Sequence, residues 1–314
     1  MGNTSKKEMM LKQLTEILGE AHVFPEEPMQ KHTTFRVGGP AEWFVQVGNL
    51  EQLKQVLALC KEQGEAYYVI GNGSDLLVSD TGVRGVIIRL TGEFEEITPK
   101  ETVNEGVCNV CAGAGAMLAT LSMRAGRKGF TGLEFANGIP GTVGGAVLMN
   151  AGAYGGEIKD TIVAVDVMTK EGEIRRLNKE ELQLSYRHSV MMESGDIVLK
   201  AYFKLTVRPK LQIFAVMESY RKARQEKQPL EYPSAGSTFK RPEGYFAGKL
   251  IQDAGLSGYS IGGAMVSKKH AGFVINAGGA TAADIYQLIQ YIKKTVKDKF
   301  QVELEPEVRF LGEF

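Results

Sequence analysis

The sequence predicts an α+β protein of several domains. Three observations carry that reading. The chain has 314 residues, long for a single hydrophobic core. Short β-rich runs alternate along it with stretches of helical spacing. Its 37 glycines cluster near 38–39, 71–73, 113–115, 126–156 and 255–279, between those runs. Glycine permits positive φ and close backbone approach to a ligand. The clustering therefore predicts ligand-facing loops and not a flexible linker.

Met10, Leu11, Leu14, Ile17 and Leu18 fall at helical spacing over 9–18. A second helix is expected over 50–60, from Leu50, Leu53, Val56, Leu57 and Cys60. Asn49 is its N-cap with Gln52 at N3, and Gly64 lies just past its end. Strands at Tyr67–Ile70 and Gly85–Leu90 complete a β–α–β beginning. A second part follows, with a strand at 106–111, a helix at 116–125 and a long glycine-rich segment. Ile162–Met168 and Glu173–Leu177 read as a hairpin closed at Glu171-Gly172, and 196–207 as a long strand. A third part opens with a helix over 211–226. Pro229, Pro233 and Pro242 forbid a regular element across 229–245. A helix over 281–299 has Thr281 and Asp284 as a capping box and Ile285, Leu288, Ile289, Ile292 and Val296 on one face. The alternation of Val302, Leu304, Val308 and Phe310 reads as a terminal strand.

Lysine plus arginine equals aspartate plus glutamate, 37 each, so the net charge is zero. Nucleic acid is not an expected partner, because duplex binders carry a basic excess. An anionic substrate must instead meet a local cluster of cations. No apolar run approaches the roughly 18 residues of a membrane span, and the N-terminus lacks a signal-peptide core. Neither a membrane nor a protein partner is evident. Three cysteines fit a reducing, cytoplasmic setting. Cys108 and Cys111 form a CxxC on an expected strand, where they point to opposite faces. No second pair completes a zinc site, and His22, His32, His188 and His270 lack ligand spacing, so no metal is expected.

Five segments carry candidate chemistry. Gly71-Asn72-Gly73-Ser74-Asp75 leaves a strand, and its successive N–H groups suit a phosphate, although strand-exit glycines are common. Residues 132–157 run about 25 positions with almost no bulky charge, as a loop laid along a large cofactor requires. Tyr186-Arg187 lies in LSYRHS, either a carboxylate clamp or a surface loop. Gly236-Ser237 follows the basic cluster Arg221, Arg224 and Lys227, which suits a diphosphate. Glu307, between Pro306 and Val308, is either a buried acid or a solvated strand end.

Taken in order, HTTFRVGG, GNGSDLLVSD, 132–157, SYR, AGSTFKRP and EPEVRF resemble one family, the UDP-N-acetylenolpyruvoylglucosamine reductases of bacterial cell-wall synthesis. The resemblance runs from about His32 to Arg309. It implies an FAD-binding fold of the vanillyl-alcohol oxidase (PCMH) type with two α/β subdomains, plus a C-terminal α/β substrate domain. The implied boundaries are 1–95 with the strand 303–314 returning to it, 96–210, and 211–302. No tyrosine-bearing insertion appears between about 187 and 210, so the chain resembles the shorter subgroup.

The resemblance also implies roles. The FAD contacts would be Arg36, Gly71, Asn72, Gly73, Ser74, Asp75, Glu134, Ala136, Gly138, Ile139, Pro140, Gly141, Thr142, Gly144, Ala146, Gly152, Glu157 and Ile197. Tyr186, Arg224, Lys227 and Gly236 would bind UDP-N-acetylglucosamine enolpyruvate. Arg187 and Glu307 would hold its carboxylate, and Ser237 would protonate it. The hydride would come from NADPH by way of FAD. An FAD-dependent oxidase of the same fold, acting on a sugar or hydroxy acid, stands as the alternative.

Overall fold

The computed structural model describes residues 2–104 and 106–314, with side chains from 6 to 98 and from 106 onward. A four-stranded sheet has the order Val23–Pro28, Pro40–Val47, Val83–Leu90, Tyr67–Ile70. Its last pair is parallel, with Tyr67 opposite Val86. The helix Leu50–Gln63 provides the crossover before Tyr67–Ile70. It starts where the Asn49 side chain accepts the Gln52 N–H at 2.9 Å, and it ends at left-handed Gly64. By its contacts the chain divides into one unit of residues 1–24, 44–71 and 86–222, and a second of 25–43, 72–85 and 223–314.

The first unit is built on an antiparallel sheet. Its order is Ile174–Asn178, Ile162–Met168, Ile197–Val207, Val107–Gly113, Ile97–Asn104, with Phe130–Thr131 also paired to Ile197–Val207. Val165, Ala201 and Ala112 are buried cross-strand neighbours. The helix Leu118–Lys128 buries Leu118, Leu121 and Ala125. At Gly126 it leaves room for Ile213 and Met217 of the helix Lys210–Lys227.

The second unit holds a small antiparallel sheet of Ser260–Ile261, Ala264–Val266 and Val274–Asn276. The helix Ala282–Phe300 packs on it through Ile285, Leu288, Ile289, Ile292 and Val296. Thr281 and Asp284 form its capping box, and both Asp80 oxygens accept its first N–H groups at 2.8 Å. Phe35, Leu77 and Phe239 join the same buried cluster. Distant stretches of sequence thus meet in one core. Strand Arg309–Leu311 lies parallel to Leu76–Val78, with Arg309 opposite Leu76.

The structure amends the sequence reading at the terminal strand. Arg309–Leu311 forms a ladder and Pro306 an isolated bridge to Phe239, while 302–305 has no ladder. Leu304 and Val308 are buried, so their alternation records packing and not pairing. Strand Pro40–Val47, helix Ala247–Asp253 and the small sheet are additional elements. Among the described residues no helix is long and apolar enough to cross a membrane.

Leu288 is fully buried at the centre of the second unit's helix. Leu288→Ala is expected to cost about 2–5 kcal/mol. A urea unfolding midpoint equal to that of the parent chain would contradict this account of the core.

Candidate functional site

The loop Asn72–Asp75 is held from two sides within the second unit. Gly73 has φ of 60°, and a Cβ there would lie 2.0 Å from the His32 carbonyl oxygen, so only glycine fits. Thr34 N–H donates to the Gly73 carbonyl at 3.1 Å. On the other side Arg309 N–H donates to the Asp75 carbonyl at 2.9 Å. The stretch bearing Arg36 is fixed by Thr33 Oγ1–H to the Val37 carbonyl and by Asn276 Nδ2–H to the Phe35 carbonyl. Arg36 is exposed and left-handed, with φ of 56°.

The first unit places Gly71 against the long loop. A Cβ at Gly71 would meet Thr142 Oγ1 at 2.4 Å, so the strand exit and residue 142 are in direct contact. Thr142 caps the short helix Val143–Leu148, and Gly144 N–H donates to the Ala114 carbonyl at 2.8 Å. Ala136 and Ala146 are buried, Ile139 and Gly141 half-buried, and Gly138 and Pro140 exposed. Glu134 is the one acidic residue of 134–146, and it is buried. Its carboxylate accepts Thr131 Oγ1–H and Gly132 N–H, which turns its charge inward. The outer face that remains is backbone and small side chains. That donor set suits a diphosphate-bearing cofactor such as FAD, whose anionic oxygens need N–H groups and no opposing carboxylate. Ile197 is buried in its strand, opposite Met168.

Residues 150–157 are knitted to the turn that carries Arg187. Asn150 is buried with φ of 42°. Its Nδ2 donates to Glu157 at 2.5 Å and to the Ser185 carbonyl at 3.0 Å, and its Oδ1 accepts Lys159 N–H at 2.9 Å. Gly152 pairs with Glu157. Tyr154 stacks on Tyr220 at 4.6 Å and is also left-handed, with φ of 54°. Ser185 and His188 exchange backbone hydrogen bonds across a two-residue tip, Tyr186-Arg187. The guanidinium of Arg187 lies 5.2 Å from the Tyr186 ring, and its φ is 55°. Buried Ser189 anchors the far side of the turn, donating to the Leu148 carbonyl at 2.8 Å.

The second unit brings Ser237 and Glu307 together. Glu307 N–H donates to the Thr238 carbonyl at 2.9 Å, and Phe239 bridges Pro306. Thr238 is fully buried, and its hydroxyl accepts Val274 N–H. Ser237 is exposed, Glu307 half-buried, and Gly236 left-handed with open space around it. Arg224 and Lys227 sit in the last turn of the helix Lys210–Lys227. Sequence reasoning missed Asn150, Ser189 and Thr238. Each is an ordinary polar residue whose work is to bond backbone far along the chain, and no local spacing signals that.

Comparison with known proteins gives a consistent result. A family model described as UDP-N-acetylenolpyruvoylglucosamine reductase, C-terminal domain, matches residues 228–311. One described as FAD binding domain matches 41–178. A UDP-N-acetylenolpyruvoylglucosamine reductase of Agathobacter rectalis is 52% identical over 310 residues, which is 97% of this chain and 98% of that protein. One from Lachnoclostridium phytofermentans is 51% identical over 305 residues, 97% and 98% of the two chains. The crystal structure of the Thermus caldophilus reductase superposes with a TM-score of 0.78 at 38% identity, covering 91% of this chain and 97% of that one.

Two expectations follow. Asn150→Ala takes its partner from the Lys159 N–H and one hydrogen bond each from the half-buried Glu157 carboxylate and the Ser185 carbonyl, and is expected to cost about 1–3 kcal/mol. A thermal melt matching the parent would show that the network carries no such weight. Burial lowers the pKa of half-buried His270 below its ordinary value. The folded state then binds fewer protons than the unfolded one. Stability from this group is complete above about pH 6.5 and is lost as pH falls through the depressed folded value. His270→Gln is expected to flatten that part of the profile in urea titrations, and an unchanged slope would refute it.

Proposed function

The chain belongs to the UDP-N-acetylenolpyruvoylglucosamine reductase family, and from that membership we propose that Arg187, Ser237 and Glu307 carry its carboxylate and proton chemistry. The enzyme is an NADPH-dependent flavoprotein that reduces UDP-N-acetylglucosamine enolpyruvate to UDP-N-acetylmuramate for peptidoglycan synthesis. Its FAD-binding fold is of the vanillyl-alcohol oxidase type. The reductase name carried by relatives at 47–52% identity favours this reading over a sugar or hydroxy-acid oxidase.

FAD, when bound, supplies hydride transfer, from NADPH to the enolpyruvyl double bond. The protein supplies geometry and electrostatics. In this reading Arg36, Gly71–Asp75, Glu134–Ala146, Gly152, Glu157 and Ile197 form the cofactor's surroundings. Residues 1–95 with 303–314, and 96–210, hold FAD, and 211–302 hold the sugar nucleotide. Arg187, stacked on Tyr186, takes the substrate carboxylate as a bidentate partner. Glu307 works with it on the charge that develops there as the double bond is reduced. Arg224 and Lys227 meet the diphosphate beyond Gly236. Ser237 gives a proton to the adjacent carbon, which completes the reduction. A cytoplasmic location accords with three free cysteines and with the supply of NADPH.

The observation that supports the proton-donor assignment is the hydrogen bond from Glu307 N–H to the Thr238 carbonyl. It ties the segment that carries the exposed Ser237 to the segment that carries Glu307, within one unit. Anaerobic reduction by NADPH, followed by reoxidation with the enolpyruvyl sugar nucleotide, separates the two half-reactions. Ser237→Ala is expected to leave flavin reduction nearly intact and to slow reoxidation by about 10²–10⁴-fold. Equal slowing of both half-reactions would make the residue structural.

A further inference from the structure

We propose that Lys269 is a positioning residue for the sugar nucleotide: it ties the cationic end of the helix Lys210–Lys227 to the segment that presents Ser237. The proposal rests on the functional reading above. The last carbonyls of a helix have no partner within it. Lys269 Nζ donates to one of them, the Gln225 carbonyl, at 2.7 Å. Gln225 lies between Arg224 and Lys227, so this bond fixes the turn that carries both cations. The helix dipole favours a cation at that end. Glu231, 4.0 Å away, offsets part of the charge that accumulates there.

The other side of Lys269 leads to the proton donor by unbroken short links. Ser267 Oγ accepts the N–H groups of Lys269 and His270 at 3.2 and 3.3 Å. His270 Nδ1 accepts Gly272 N–H at 3.1 Å, and Phe273 N–H donates to the His270 carbonyl at 3.0 Å. Ser267 N–H closes the loop on the Phe273 carbonyl at 2.9 Å. The Gly272 carbonyl then accepts Thr238 N–H at 2.9 Å, next to Ser237, and the Thr238 carbonyl accepts Glu307 N–H. All these residues belong to the second unit. One seven-residue loop therefore spans from the helix end to the reacting groups.

A diphosphate sugar must meet the helix-end cations and the proton donor at once. A misplacement of about 1 Å at a remote anchor can cost two orders of magnitude in rate, because the reacting atoms lose alignment. Lys269 acts through the Gln225 carbonyl, so its loss is felt in substrate handling and not in reduction of the flavin.

The test is Lys269→Met in the FAD-loaded full chain, which keeps the apolar stem and removes the donor. KM for the enolpyruvyl sugar nucleotide is expected to rise about tenfold, as for loss of one charge-assisted hydrogen bond. Flavin reduction by NADPH is expected to stay within about twofold of the parent while reoxidation by the sugar nucleotide slows. Lys269→Arg, which can still donate to the carbonyl, recovers most of the loss. Unchanged KM and reoxidation in Lys269→Met would overturn the proposal. A parallel fall of FAD retention, melting temperature and both half-reactions would also overturn it, by making Lys269 merely structural. Arg224→Ala and Ser237→Ala in the same assays separate the two levels. If they impair reoxidation and Lys269→Met does not, the positioning role alone fails. If neither affects it, the functional reading fails as well.

Discussion

The candidate site of the second unit depends on one constraint, the three-residue parallel ladder between Leu76–Val78 and Arg309–Leu311. The ladder starts with Arg309 N–H on the Asp75 carbonyl, so the glycine loop and the segment leading from Glu307 cannot shift independently. Three rungs are weak by themselves. The ladder persists because Leu77 and Val308 are buried in the same cluster as Phe239, Ile285 and Leu288. Ser79 reinforces it, with its N–H on the Leu311 carbonyl and its hydroxyl on the Glu313 carbonyl. Loosening this ladder would disturb the glycine loop and the Glu307 segment together.

Elements with strong periodicity were legible from sequence. The helix Ala282–Phe300 has its apolar stripe and its capping box in plain view, and the Asn49 cap is equally local. Strand Pro40–Val47 was not legible, because Phe44 is buried along with Trp43 and Val45 and interrupts the alternation. The small sheet of Ser260–Ile261, Ala264–Val266 and Val274–Asn276 has strands of two or three residues, below the length at which any pattern can register. In the site, the glycine loops could be found by composition. The roles of Arg187, Ser237 and Glu307 came only from resemblance, since each residue alone is commonplace. The braces Asn150 and Thr238 act on backbone atoms remote in sequence and left no trace.

Backbone strain gathers in the candidate segments. Among the described residues seven non-glycine positions have positive φ; Asn150, Tyr154 and Arg187 of the first unit and Arg36 of the second are four of them. Each such residue costs on the order of 1–3 kcal/mol unless its surroundings over-determine it. Here they do: Asn150 has three hydrogen bonds, Tyr154 stacks on Tyr220, and the Arg187 turn is closed by Ser185 and His188. The backbone that carries Arg187 is thereby fixed before any ligand arrives. In a chain of zero net charge, a cation on a fixed turn can recognise an anion where overall charge cannot.

The ladder also dictates an order of events during synthesis. Ser79 and Glu313 are 234 positions apart, and Phe35 and Asn276 are 241 apart. The segments 25–43 and 72–85 belong to a core whose other half is made last. They leave the ribosome with their apolar residues Phe35, Val37 and Leu77 unburied, and wait for nearly the whole remaining chain. Contacts this distant close slowly, because the entropy of the intervening loop must be lost first. A nascent chain stalled after residue 222 would hold all three parts of the first unit, yet none of the carboxyl-terminal partners of those early segments. Chaperone dependence of this protein should accordingly concentrate on residues 25–43 and 72–85.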